Sequence, residues 1–291
     1  MKNLTIFTPT YNRKNTLPRL YESLINQKNS NFIWLVVDDG SSDGTKELIS
    51  TWKKENKIEI NYIYQENHGK TFAHNVGVLN TTTNWFLCLD SDDYLDVNAV
   101  QIIDDVLKSK NEDFIGILSL KSSINRENVS LSKSLNTGEI ISFEDLYRKY
   151  NYRGDTALIY KTSLLRDNLF PIIQGEKFVP EQYLHDCMSA FGKLYYINKP
   201  LYYCEYLEDG YTNNTGKLLK KNPQGLLITG EKRLETGKKI KSRMIGATQV
   251  NIASIILKKH LLKYAFKYSF FNIILLICTW VPSYIHYKKK Y

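Results

Sequence analysis

Residues 4–45, LTIFTPTYNRKNTLPRLYESLINQKNSNFIWLVVDDGSSDGT, hold a complete structural unit. Leu4 to Thr8 and Phe32 to Val37 are apolar, strand-like runs. Between them Leu17, Leu20, Tyr21, Leu24 and Ile25 recur at helical spacing, with Pro18 in the first turn, where its missing N–H costs little. Thr8 to Val37 covers roughly the 30 residues that two parallel strands and a crossover helix need. The pattern continues outward. Ile58 to Tyr64 and Trp85 to Leu89 are further strand-like runs, and Leu48, Ile49 and Trp52 mark a second helix that Asp43 is placed to cap. Residues 1–98 therefore read as an open α/β sheet. In such sheets ligands bind beyond the carboxyl ends of the strands. Here those ends are TPTYNR, DDGSSDGT, QENHGK and DSDD. Each alone is ordinary turn chemistry; four on one edge point to a site.

Residue type narrows the chemistry. No GxGxxG follows the first strand and no GxxxxGK[ST] occurs, which argues against dinucleotide and P-loop enzymes. Asp90, Asp92 and Asp93 follow directly on an apolar strand. Like charges so close are relieved by a divalent cation, and oxygen ligands beside a diphosphate suit Mg2+ or Mn2+. The competing reading is that Asp92 or Asp93 caps a helix beginning near Asp96.

In this order and spacing, TPTYNR, VDDGSSDGT, HGKTFAHNVG and DSDD resemble the family 2 glycosyltransferases, closely from Met1 to about Asn98. The resemblance implies an α/β GT-A fold, Rossmann-like, with a mixed, mainly parallel sheet flanked by helices. It implies that Thr8, Tyr11 and Asp39 hold the uracil and ribose of a UDP-sugar. Lys70 then lies by the diphosphate, with Asn75 organising its loop; Asp90 contacts ribose and Asp92 ligates the metal. The chemistry agrees, because expelling a nucleoside diphosphate requires its charge to be neutralised. Direct displacement inverts the anomeric centre and needs a carboxylate to take the acceptor's proton.

For that base three carboxylates compete, Glu176 and Glu181 in GEKFVPEQYLHD and Asp155 further upstream. The family's acidic element at the start of a helix matches Glu181, with Gln182 replacing a second carboxylate; Tyr183, Leu184, Cys187, Met188 and Phe191 would form that helix's apolar face. Asp155 in RGDTALIY, with Arg153 as companion, resembles an acceptor-recognition element, although Gly-Asp is equally turn chemistry. His68, His74, His185 and Asp186 read as structural, and Leu201 to Tyr206 as a closing strand.

Residues 1–215 are thus expected to form the catalytic domain, with a nucleotide-sugar half (1–98) and an acceptor half (99–215). Residues 216–291 read as a basic helical extension. The net charge of +9 comes largely from beyond Lys217 and from Lys288–Lys290. No nucleic-acid motif accompanies it, so nucleic acid is not an expected partner. Cys88, Cys187, Cys204 and Cys278 lie far apart without a CxxC pair, which fits a reducing cytoplasm; Met1 to Pro9 runs directly into a strand-like segment, so no signal peptide is expected. Ser269 to Tyr284 is apolar but shorter than the ~20 residues of a spanning helix and contains Pro282. The expectation is peripheral contact with the inner face of the membrane through residues 264–291; a helical hairpin packed on protein is the alternative. With no QxxRW element, single-sugar addition to a saccharide or lipid-linked saccharide in capsular or cell-envelope glycan synthesis is favoured over processive synthesis. One rival, a sugar-phosphate nucleotidyltransferase, needs a Gly-rich, Arg-containing loop that TPTYNRKNT lacks. The other, a membrane-peripheral module that has lost turnover, would bind donor without transferring it.

Overall fold

The computed structural model describes residues 2–109, 114–123, 135–152, 154–205, 211–258 and 268–290. The nucleotide half runs β1 (Leu4–Thr10), α1 (Leu17–Ile25), β2 (Phe32–Asp38), α2 (Thr45–Glu55), β3 (Ile60–Tyr64), α3 (Lys70–Asn80) and β4 (Trp85–Cys88). There follow β5 (Tyr94–Leu95), α4 (Ala99–Ser109), β6 (Gly116–Ser123), β7 (Ile140–Ile141), α5 (Phe143–Arg148), β8 (Thr156–Lys161) and α6 (Thr162–Arg166). The rest is α7 (Gln182–Met188), β9 (Leu194–Cys204), α8 (Tyr211–Lys221), α9 (Pro223–Thr236), α10 (Ile240–Ile256) and α11 (Phe270–Lys290).

The strands form one sheet in the order β3-β2-β1-β4-β8-β6-β9-β5, with β7 also paired to β9. β1, β2, β3 and β4 are parallel, as the crossover spacing demands. β8 runs antiparallel to both β4 and β6, while β6 and β9 are parallel, so the parallel majority belongs to the first half. Two expectations shift. The helix placed near Asp96 begins at Ala99, because Tyr94–Leu95 pairs with Tyr202 and Tyr203 of β9 and Asp96 accepts from the Asn98 amide. The closing strand begins seven residues earlier, at Leu194, and carries Pro200 at a register shift, where an imide without N–H is tolerated.

All seven residues of β1 are buried. Tyr21 of α1 stacks on Trp52 of α2 at 4.3 Å between centroids, and both meet Trp34 of β2, which locks the two crossover helices to one face. On α3 a side chain at Gly77 would collide with the Phe7 ring, so only glycine lets this helix lie so close on β1.

The chain divides into two compact units, Met1–Leu169 with Phe191–Tyr206, and Phe170–Ala190 with Leu207–Tyr291. This division differs from a boundary at 215, because the segment carrying α7 packs with the C-terminal helices. Glu176 caps α9 by accepting from the amides of Gln224 and Gly225 (2.8 Å each), and Asp186 joins Gln182 to Arg233. α7 ends at Met188, so Phe191 is not on its apolar face and is half exposed. Pro223 starts α9, where its missing N–H costs little.

Candidate active site

Thr10, Asp38 and Tyr64 stand in register at the carboxyl ends of β1, β2 and β3, and Asp90 follows β4 on the same edge. The loops beyond are bonded to one another. Asn12, at φ 51°, donates its amide to Ser41 Oγ and accepts from the Ser42 amide, while Lys14 N donates to Asp43. Asp43 accepts from Thr45 N and Oγ1 at the start of α2, but the capping position is Gly44, so Asp43 braces the turn one residue ahead of the expected cap. Gly40 and Gly44 turn these loops at φ near +90°, where a side chain is disfavoured.

Asp39 is buried, and its carboxylate accepts from Gln65 Nε2 (2.7 Å), His68 N (2.9 Å) and Gly69 N (2.8 Å). With about four acceptor positions on a carboxylate, this leaves room for at most one more donor. Its clearest action is to hold the QENHGK loop that delivers Lys70. Thr8 departs from expectation. It is fully buried and its hydroxyl accepts from Trp34 Nε1 at 3.0 Å, so its side chain packs in the core. Two residues on, Thr10 Oγ1 is buried without a partner, as is Gln65 Oε1. Tyr11 is half exposed, its ring open to a planar base.

Lys70 heads α3 and its Nζ lies 2.7 Å from Asp90 Oδ1. Burial and the charge of Asp90 push the Asp92 carboxyl above its ordinary pKa, while Arg13 and Lys70 pull it down. The structure thus brings Arg13, Lys70, Asp90 and Asp92 into one electrostatic cluster, of which the sequence reading had assigned all but Arg13. Asp93 is different: it is buried, accepts from Glu205 N and from the Tyr202 hydroxyl, and burial raises its pKa.

A second set of residues, unassigned from sequence, holds the DSDD loop. Arg19 of α1 bonds Glu205 Oε2 at 2.7 Å and the main-chain oxygen of Asp92, with its guanidinium over the Tyr94 ring. Tyr202, fully buried in β9, accepts from Asp90 N at 2.9 Å, and its own pKa is driven well up by burial and the charges of Asp90 and Asp93. Lys121 lies over the Tyr202 ring, 3.9 Å from its centroid. No motif marked these residues, because each meets the loop from a distant element.

Asp155 is exposed just before β8, and its main-chain carbonyl accepts from Lys121 N and the Tyr152 hydroxyl. Arg153 lies outside the described residues. Glu181 is exposed at the head of α7 in the second unit, and its side chain makes no cap bond. Glu176 is committed to capping α9.

Among the described residues no three His, Cys, Asp or Glu side chains gather to hold a metal. Mg2+ and Mn2+ do not need such a cage: one or two carboxylates complete their coordination with phosphate oxygens and water. Asp92, an oxygen ligand beside the like charge of Asp90 that a cation would relieve, fits that donor set.

The model for "Glycosyl transferase family 2" matches residues 5–170. Glycosyltransferase GlyA of Streptococcus pneumoniae is 27% identical over 209 residues, 68% of this chain but 30% of its own length, so the chain spans less than a third of that relative. Staphylococcus aureus TarS 1–349 in complex with UDP-GlcNAc superposes with a TM-score of 0.64 at 17% identity, covering 97% of this chain and 79% of that one. Mannosyltransferase PcManGT from Pyrobaculum calidifontis, in complex with GDP-Man and Mn2+, gives 0.55 at 18% identity, over 99% and 84%. With a sheet of this order, polar loops on its carboxyl edge and a family match over more than half its length, the chain belongs to glycosyl transferase family 2.

Proposed function

We propose that this protein transfers one sugar, with inversion, from a UDP-sugar to the hydroxyl of a saccharide or lipid-linked saccharide in cell-envelope or capsular glycan synthesis. The observation that carries the reading is the cluster of Lys70, Asp90 and Asp92 at the edge where Tyr11 is half exposed and Thr10 Oγ1 and Gln65 Oε1 are buried without a partner. Lys70 now neutralises Asp90. An arriving diphosphate offers Lys70 a stronger partner and releases Asp90 for a ribose hydroxyl. Asp92 would hold Mn2+ or Mg2+, which neutralises the leaving diphosphate when bound. Neighbours bind both uridine and guanosine donors, so the preference for uridine rests on the motif resemblance.

Glu181 is the proposed base, and Asp155 with Arg153 the proposed acceptor contacts. We place the protein in the cytoplasm, on the inner face of the membrane through residues 264–291. Support for that contact comes from α11: Phe270–Lys288 is long and apolar enough to cross a membrane. Yet Leu275, Leu276, Thr279 and Ser283 are buried against protein, which favours a helix lying in the interface. The test is transfer from a panel of UDP-sugars to envelope lipid extracts, with wild type and Glu181→Gln. The reading expects one donor to be consumed and the variant to bind it without turnover; a Glu181→Gln enzyme of full activity sinks the assignment of the base.

A further inference from the structure

After Glu235 the sequence holds eleven Lys or Arg residues and no Asp or Glu. α10 and α11 run side by side in the same direction, because the Arg243 guanidinium lies over Phe271 and, further along both helices, Asn251 donates to Leu276 O and Thr279 Oγ1. Their N-terminal ends therefore come together. At that end Ile240, Met244 and Ile245 of α10 and Phe270 and Phe271 of α11 are exposed, Phe270 by 80%. Lys238, Lys239 and Lys241 are exposed among them. Bulky apolar side chains left in water beside basic ones mark a surface made for something both oily and anionic. Lysines at the N-terminal end of a helix are also opposed by its dipole, a repulsion that an anionic surface removes. Nucleic acid would meet the charge but gives no account of Ile240, Met244, Ile245 and Phe270.

We propose that this corner, the turn into α10 with the first turn of α11, is a second membrane contact that selects acidic phospholipid. Lys238, Lys239 and Lys241 take the anionic headgroups while Ile240, Met244 and Phe270 enter the acyl boundary. The exposed stripe of α11 (Ile274, Ile277, Val281, Ile285) supplies binding that does not depend on lipid charge. The proposal rests on the reading of the C-terminal helices as a membrane contact, and goes beyond it by assigning residues outside 264–291 and a lipid class.

The test is co-sedimentation of the full chain with phosphatidylcholine vesicles and with vesicles containing about a third phosphatidylglycerol. Variants are Lys238→Gln/Lys239→Gln/Lys241→Gln and, on α11, Ile277→Ser/Val281→Ser. Basic residues at an anionic surface contribute about fivefold each, so the triple variant should lose about a hundredfold on the acidic vesicles and nothing on the neutral ones. Wild-type binding that the triple substitution leaves unchanged, while Ile277→Ser/Val281→Ser weakens it, overturns this proposal and spares the membrane reading. If wild type binds neither vesicle, both fall; a corner buried in a dimer overturns this proposal alone.

Discussion

The strand-end loops of the first unit and the helices of the second are stabilised by different means. Around Asp39 and the DSDD loop nearly every polar group meets a particular partner: Asp39 with three N–H donors, Asp90 with Lys70, Asp93 with Tyr202 and Glu205 N. Along α10 and α11 what matters is which face a residue occupies. A buried seam carries Asn251, Leu276 and Thr279, and the opposite face of α11 is apolar and open. Residue identity should therefore govern function in the first region and residue class in the second.

Substitutions can break that contrast. The largest effect is expected from Asp92→Ala, which removes the carboxylate poised for a cation: transfer should fall about a thousandfold, measured as kcat at saturating donor. Lys70→Ala should cost about a hundredfold or more, with donor binding weakened too, because it removes the counter-charge to the diphosphate and leaves Asp90 unpaired. Arg19→Ala touches no reactant. Because Arg19 bonds the Asp92 carbonyl and Glu205, its loss should raise the Mn2+ concentration for half-maximal activity about tenfold, and Arg19→Lys should restore little of this. In the helices, Asn251→Ala should leave catalysis intact and lower stability by about 1–3 kcal/mol in denaturant titration, since Asn251 is fully buried and Leu276 O and Thr279 Oγ1 lose their donor. Smallest of all, Ile274→Val on the exposed face should be silent in both assays. A large effect there, or tolerance at Arg19, would erase the distinction.

Legibility in the sequence follows the same line. The βαβ rhythm, the polar strand ends and the Lys70 and Asp90–Asp92 cluster could be read because spacing along the chain is spacing on the sheet edge. The bond between the Thr8 hydroxyl and Trp34 is not legible, because alternation along β1 does not say which hydroxyl Trp34 will claim. Arg19, Lys121 and Tyr202 were invisible because they reach the DSDD loop from α1, β6 and β9, contacts that no local pattern encodes. Ser269 to Tyr284 looked too short and broken by Pro282, yet α11 continues through that proline for 21 residues, with Ser283 bonding back to Thr279 O.

Calorimetric titration of UDP, GDP, CDP and dTDP, with and without Mn2+, into wild type and Asp92→Ala bears on the donor site before any acceptor is known. UDP should bind wild type tightly only with the metal, and Asp92→Ala should erase that dependence while Thr8→Val leaves it unchanged. Failure of every nucleotide to bind wild type with Mn2+ present would contradict the assignment of this edge as a nucleotide-sugar site.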